Sequence, residues 1–170
     1  MGTVKVLSGA DRLERDARRF VEGKRIGLVT GPTGVTSDFR STVDVCAGLR
    51  STKLVALFAC EHGIRGERQA GVLFEDETDP DLGIPVFSLY GKHRAPTGEM
   101  LPGLDAVVFD IQDLGVRFYT YLTTLLYTMQ ACAAHDKELI VLDRPNPLGG
   151  YNVEGGLLRD EYRSMVGGWN

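Results

Sequence analysis

The sequence predicts an α/β fold, a Rossmann-like parallel sheet with helices on both faces. Two observations carry this. Short apolar runs of β type alternate with segments of helical spacing along most of the 170 residues, as in repeated strand–helix units. The run Lys53–Ala59 is nearly all apolar rather than alternating, as a strand covered on both faces should be. A chain of this length fits one compact domain or a large part of a two-domain protein.

The elements follow in order. A first helix starts after Ser8, with Asp11 three residues on as its capping-box partner. Leu13, Ala17, Phe20 and Val21 keep helical spacing, and Gly23 ends the element. A strand follows at 25–30, then the turn Gly31-Pro32-Thr33-Gly34. The segment 42–49 reads as a short helix with Val45, Cys46 and Leu49 on one face. After the second strand, at 53–59, a polar stretch from Cys60 to Gly83 has little periodicity, and loops of that length are usually functional or disordered. A short strand is expected at 85–89 and another at 106–111. Tyr119–Ala134 is the clearest helix, its spacing placing Leu122, Leu125, Leu126, Met129 and Ala133 on one face. The last strand is 138–142. Beyond Arg144-Pro145-Asn146-Pro147 the chain turns glycine-rich and loses its pattern.

Composition narrows the function classes. A net charge of −4 and the lack of any Lys/Arg run argue against a nucleic-acid partner. The longest apolar runs, such as 106–109 and 139–142, are far too short to span a bilayer. The first five residues lack the pattern of a signal peptide, so the chain is either cytoplasmic or separated from its export signal. Cys46, Cys60 and Cys132 are three widely spaced thiols and read as small buried hydrophobes rather than a disulfide framework or metal site.

In an open parallel sheet, ligands bind outside the carboxyl ends of the strands. Each predicted strand here runs into polar residues at that end: Thr30 and the following turn, Glu61-His62, Tyr90, Asp110 with Gln112 and Asp113, and Asp143-Arg144 with Asn146. Strand ends are often polar simply because they leave the core. Carboxylates beside His, Tyr, Arg and Asn at one rim are better explained as a site. Glycosidic hydrolysis needs one carboxyl group that donates a proton to the leaving oxygen and a second group acting as base, nucleophile or charge stabiliser. Glu61, directly after a buried strand, suits the first role, and Asp110 or Asp113 suits the second. Asp113 reads equally well as a helix cap, and Asp110 as a partner for loop amides. Gly27, Gly31 and Gly34 match a dinucleotide-binding GxGxxG only weakly, with Pro32 between them and no helix directly behind. His62, His93 and His135 lack metal-ligand spacing, so no metal or other cofactor is expected, and His135 reads as a surface residue near a helix end.

The same residues fall into a longer pattern. It runs through Gly23-Lys24-Arg25-Ile26-Gly27-Leu28-Val29-Thr30, Pro32-Thr33-Gly34-Val35, Glu61-His62-Gly63-Ile64-Arg65-Gly66, Gln69-Ala70-Gly71 and Pro85-Val86-Phe87-Ser88-Leu89-Tyr90-Gly91. It continues through Phe109-Asp110-Ile111-Gln112-Asp113-Leu114-Gly115-Val116-Arg117-Phe118-Tyr119-Thr120-Tyr121, then Leu142-Asp143-Arg144-Pro145-Asn146-Pro147 and Val153-Glu154-Gly155. This pattern resembles a bacterial exo-β-N-acetylmuramidase family, formerly a domain of unknown function, over essentially the whole chain after residue 20. The block from Phe109 to Tyr121 is its most specific part.

The resemblance implies an enzyme that releases N-acetylmuramic acid from the non-reducing end of peptidoglycan fragments. It implies a Rossmann-like domain over 1–150, with 151–170 starting a linker or a smaller second domain of which the rest is missing, and an active site between the two. Glu61 becomes the catalytic candidate, with Asp110, Asp113 and Glu154 as further carboxylates. His62, Tyr90, Tyr119, Tyr121 and Asn146 line a sugar pocket, and Arg65, Arg117 and Arg144 are partners for the lactyl carboxylate of muramic acid. Two departures stand out: Gly31 replaces the usual Asn, and Ala59-Cys60 replaces a small residue and Pro before Glu-His-Gly. An open half-cleft predicts exposed side chains near the rim, Phe74, Tyr151 or Trp169, with either self-association or poor order after about residue 150. A non-catalytic sugar- or muropeptide-binding module and another small-molecule-binding α/β domain are the alternatives.

Overall fold

The computed structural model describes residues 6–168. In chain order the elements are α1 (Gly9–Phe20), β1 (Arg25–Thr30), α2 (Thr42–Gly48), β2 (Lys53–Ala59), β3 (Glu77–Thr78), β4 (Pro85–Ser88), β5 (Ala106–Asp110), α3 (Thr120–Ala134) and β6 (Glu138–Val141), followed by a single 3-10 turn at Asp160–Tyr162. The strands form one sheet in the order β3-β4-β2-β1-β5-β6. All pairings are parallel except β3 with β4. The five parallel strands therefore reverse direction of travel between β1 and β5, the switch point of a Rossmann-like sheet.

Each expected strand is present to within a residue, and the strand at Glu77–Thr78 is an addition. Its two exposed polar residues carry no period. It exists only because β4 offers an open edge.

Side chains alternate between two apolar layers. Ile26, Leu28, Leu57 and Val108 pack with Leu13, Val43 and Cys46 beneath α1 and α2. Val29, Phe58, Val107 and Phe109 pack with Tyr121 and Cys132 beneath α3. One irregularity interrupts β2: Ile26 pairs with Leu54 but Gly27 pairs with Ala56, so Val55 is the extra residue.

The face that α3 turns to the sheet differs from the one its apolar spacing predicts. Leu122 and Met129 are about half exposed, while Thr120, Tyr121, Thr124, Thr128 and Cys132 are buried. The Thr124 and Thr128 hydroxyls donate to the carbonyls one turn back, at 3.2 and 2.8 Å. A threonine whose hydroxyl is satisfied within its own helix buries like a small β-branched hydrophobe, so this face sits against the sheet. Leu125 packs at the margin of this layer, and Leu122 and Met129 are left outside.

The start of α1 is as predicted. The Ser8 side chain accepts from the Asp11 N–H, and the Asp11 carboxylate accepts from the Ser8 N–H. That carboxylate also accepts from the Ser37 N–H at 2.8 Å, tying α1 to the loop after β1. The Ser37 N–H is the main cause that lowers the Asp11 pKa from 3.8 to about 2. A carboxylate whose pKa is depressed on folding contributes stability above its ordinary pKa, and the contribution is lost as pH falls through the folded value. The stability advantage of the wild-type chain over Asp11→Asn should therefore shrink between pH 4 and pH 2, read as the gap between their thermal midpoints. A gap constant across that window would show that these bonds contribute nothing. Ser8→Ala should cost about 0.5–2 kcal/mol in urea denaturation through loss of the cap.

Candidate active site

Ala59 at the end of β2 lies beside Thr30 of β1 and Ser88 of β4, so these strands deliver their following residues to one rim. Cys60 to Gly63 forms a turn closed by the Gly63 N–H on the Cys60 carbonyl at 3.0 Å. His62 takes the third position with φ 75°. A left-handed third residue is what a type II turn requires, and a non-glycine there is strained, as is common at functional sites. The His62 ring nitrogen Nδ1 is 3.2 Å from the Arg68 carbonyl, so the ring secures the loop rather than facing Glu61. Gly63, with φ 76°, sits where glycine is favoured, and a Cβ there would displace the Glu67 carboxylate.

This turn presents Glu61, half-buried, with both carboxylate oxygens placed. Oε1 accepts from the Gly71 N–H at 2.9 Å, and Oε2 from the Thr120 hydroxyl at 3.1 Å. The Tyr121 hydroxyl donates to the Glu61 carbonyl at 3.0 Å. The residue is thus fixed by the start of α3 and by the loop that returns at Gly71. Tyr90, just past β4, places its hydroxyl near the Glu61 carboxylate, and burial first, then Glu61, pushes the phenol pKa up. The Arg94 guanidinium lies over the Tyr90 ring, 4.5 Å from its centre. Tyr119 meets the Tyr121 ring edge-on at 4.6 Å, and burial followed by the Asp113 charge raises its pKa.

The remaining predicted residues are placed elsewhere, and the single rim divides. Asp110 is fully buried at the β1–β5 switch point. Its oxygens take Arg144 Nε at 2.7 Å and Nη2 at 2.8 Å, as well as the Thr42 hydroxyl. Arg144 also donates to the Val35 carbonyl at 2.7 Å. Thr30 donates to the Asp110 carbonyl at 2.9 Å, and a Cβ on Gly34 would overlap the Thr30 hydroxyl. At the switch point the Asp110 carboxylate is therefore taken up by the protein's own side chains. Neither an open lone pair on Asp110 nor a free fork on Arg144 faces the rim.

Arg65 is also engaged, at 2.7 Å from the buried Asp79 carboxylate and 3.4 Å from Asp81. The exposed Arg117 donates to the Gly156 carbonyl. The Asn146 Oδ1 accepts from the Leu148 N–H at 2.9 Å, and its amide packs on Gly115. Glu154 is exposed in the segment after β6, which among the described residues holds a 3-10 turn and an isolated bridge between Ser164 and Gly167. Asp113 does not cap α3, whose N-cap is Tyr119 with no side-chain bond. It borders a small pocket of about 160 Å³ shared with Tyr121, Asp143 and Arg144. Of the side chains expected to be exposed, Tyr151 is fully so, whereas Phe74 is buried beneath the Arg68 guanidinium; Trp169 lies outside the described residues.

Sequence reasoning missed Arg94, Thr120 and the Gly71 N–H. Arg94 follows Lys92 and His93 after the strand at 85–89 and carries no local sign of a site. Thr120 lay within the predicted helix, and Gly71 within the quoted pattern, but neither showed a local sign of contact with Glu61. Among the described residues no group of three His, Cys, Asp or Glu could hold a metal ion, and no helix is long and apolar enough to cross a membrane.

Comparison with known proteins follows the same lines. The family described as exo-β-N-acetylmuramidase NamZ, N-terminal, matches residues 26–170. Over 163 residues the chain is 48% identical to peptidoglycan β-N-acetylmuramidase NamZ of Bacillus subtilis (strain 168), covering 96% of this chain and 39% of that protein. A crystal structure of a DUF1343 family protein from Bacteroides fragilis NCTC 9343 superposes with a TM-score of 0.88 at 44% identity, covering 98% of this chain and 42% of that one. A second DUF1343 structure from the same organism gives a TM-score of 0.79 at 33% identity, with the same coverage. The chain thus spans about two fifths of the length of these relatives, 39% and 42%.

Proposed function

The chain belongs to the exo-β-N-acetylmuramidase NamZ N-terminal family, and from that premise we propose that its protein hydrolyses the β-glycosidic bond of a terminal N-acetylmuramic acid in peptidoglycan fragments. The observation that carries the reading is the placement of Glu61. It is a carboxylate at the carboxyl edge of the sheet, its two oxygens held by the Gly71 N–H and the Thr120 hydroxyl, with a tyrosine hydroxyl beside it. A catalytic group must be held in one geometry by its neighbours, and these contacts supply that.

In this reading Glu61 donates the proton to the leaving oxygen and Tyr90 orients its carboxyl group. Asp113 is the second carboxylate. It is linked to Glu61 through the edge-on pair Tyr119 and Tyr121, whereas Asp110 is occupied by Arg144. Tyr119 and Tyr90 provide amphipathic surface for a sugar ring. Asp110, Arg144 and Arg65 are assigned to holding the loops that frame the site.

The test is turnover of 4-nitrophenyl β-N-acetylmuramide by the protein, with release of nitrophenol as the readout. Turnover supports the hydrolase. Binding of N-acetylmuramic acid without turnover would replace it with a sugar-binding module, and binding of a nucleotide instead would remove the carbohydrate reading altogether.

A further inference from the structure

We infer that Arg94 is the receptor for the lactyl carboxylate that separates a muramyl sugar from a glucosaminyl one, an inference that rests on the reading of the Glu61 site above. The three arginines that the sequence pattern suggests for this task have other partners. Arg65 pairs with Asp79, Arg144 is held bidentate by Asp110, and Arg117 donates to the Gly156 carbonyl. Among the described residues Arg94 has no carboxylate or carbonyl partner, and its one neighbour of note is Tyr90. Its guanidinium carbon stands 4.5 Å from the centre of the Tyr90 ring, and its Nη1 is buried without a hydrogen-bond acceptor.

A buried guanidinium nitrogen left without an acceptor is costly, so its retention calls for a compensating partner. The planar fork of N–H donors fits a carboxylate in two parallel bonds, and contact with an aromatic face helps to hold the guanidinium in place. Position agrees with chemistry. The lactyl group sits on the same sugar ring whose glycosidic oxygen Glu61 would protonate, so its receptor must stand about one ring away from Glu61. Tyr90 spans that interval, with its hydroxyl beside Glu61 and its ring beneath Arg94.

A purely structural role, in which Arg94 only steadies Tyr90, makes a different prediction. It would affect every substrate equally. The discriminating experiment measures kcat/KM of wild-type protein and Arg94→Gln on 4-nitrophenyl β-N-acetylmuramide and on the same glycoside with its lactyl carboxylate converted to the amide. The assignment predicts a wild-type preference for the acid. In Arg94→Gln, activity on the acid should fall about tenfold to a hundredfold, the range for loss of charge-assisted hydrogen bonds, and the preference should vanish. An acid-to-amide ratio unchanged from wild type overturns it. Should Arg94→Gln fail to fold, Arg94→Lys carries the same comparison, since lysine keeps the charge and loses the fork: a reduced ratio supports the assignment and an unchanged one overturns it. A wild-type protein that turns over neither glycoside refutes the hydrolase reading itself, and with it the inference.

Discussion

Glu61→Gln is expected to lower kcat on a natural muramyl disaccharide by about a hundredfold to ten-thousandfold, the usual loss when a general acid is removed. Glutamine keeps the shape of the side chain. Its carbonyl oxygen can still accept the Gly71 N–H, and the Thr120 hydroxyl can rotate to accept from the new amide instead of donating to a carboxylate. The Tyr121 bond goes to the main-chain carbonyl and is untouched. The fold should therefore survive, which circular dichroism and the urea midpoint will report. What is lost is the transferable proton. A nitrophenolate leaves without protonation, so on the nitrophenyl muramide the defect should be much smaller than on the disaccharide. An equal defect on both substrates would make Glu61 the nucleophile or charge stabiliser rather than the acid. Near-normal turnover of the disaccharide would make it a structural residue of the turn.

Much of this could be read from the sequence because it is local. The capping box at Ser8 and Asp11, the apolar runs of the five parallel strands and the strand exit at Glu61 all depend on residues within a few positions of one another. The misreadings share the opposite property. Two-residue β3 is defined by the edge of β4, to which it is bound, and not by any pattern of its own. Spacing groups the leucines of α3 on one face, but it does not show that a threonine hydroxyl can be satisfied one turn back, which lets the threonine face lie deepest. Asp110 and Arg144 were both legible as polar strand-end residues, but their bond joins positions 34 apart in sequence and is visible only in three dimensions. Arg94 was passed over for the same reason: its chemistry comes from lying on Tyr90 with a nitrogen shut away from acceptors.

The Asp110–Arg144 pair sets the largest expected effect on stability. Asp110 is fully buried and the Arg144 side chain is only 10% exposed, so removing either partner leaves the other charge without its counterpart in a place water hardly reaches. Asp110→Asn should cost about 3–5 kcal/mol, the range for breaking a buried pair, and Arg144→Met should cost a similar amount. The pair also joins the loop after β1, through Val35, and the start of α2, through Thr42, to the end of β5, so its loss should loosen the whole switch point. Removing both charges together in Asp110→Leu/Arg144→Met should cost clearly less than the sum of the single changes, because no orphaned charge remains. Urea denaturation of the three variants measures this directly. The same proteins separate a strut from a catalyst. If Asp110 is a strut, Asp110→Asn lowers the unfolding midpoint while the folded fraction keeps most of its turnover. A protein that stays stable yet loses its turnover a hundredfold or more would return Asp110 to the reaction as the second carboxylate, and Asp113 would lose that role.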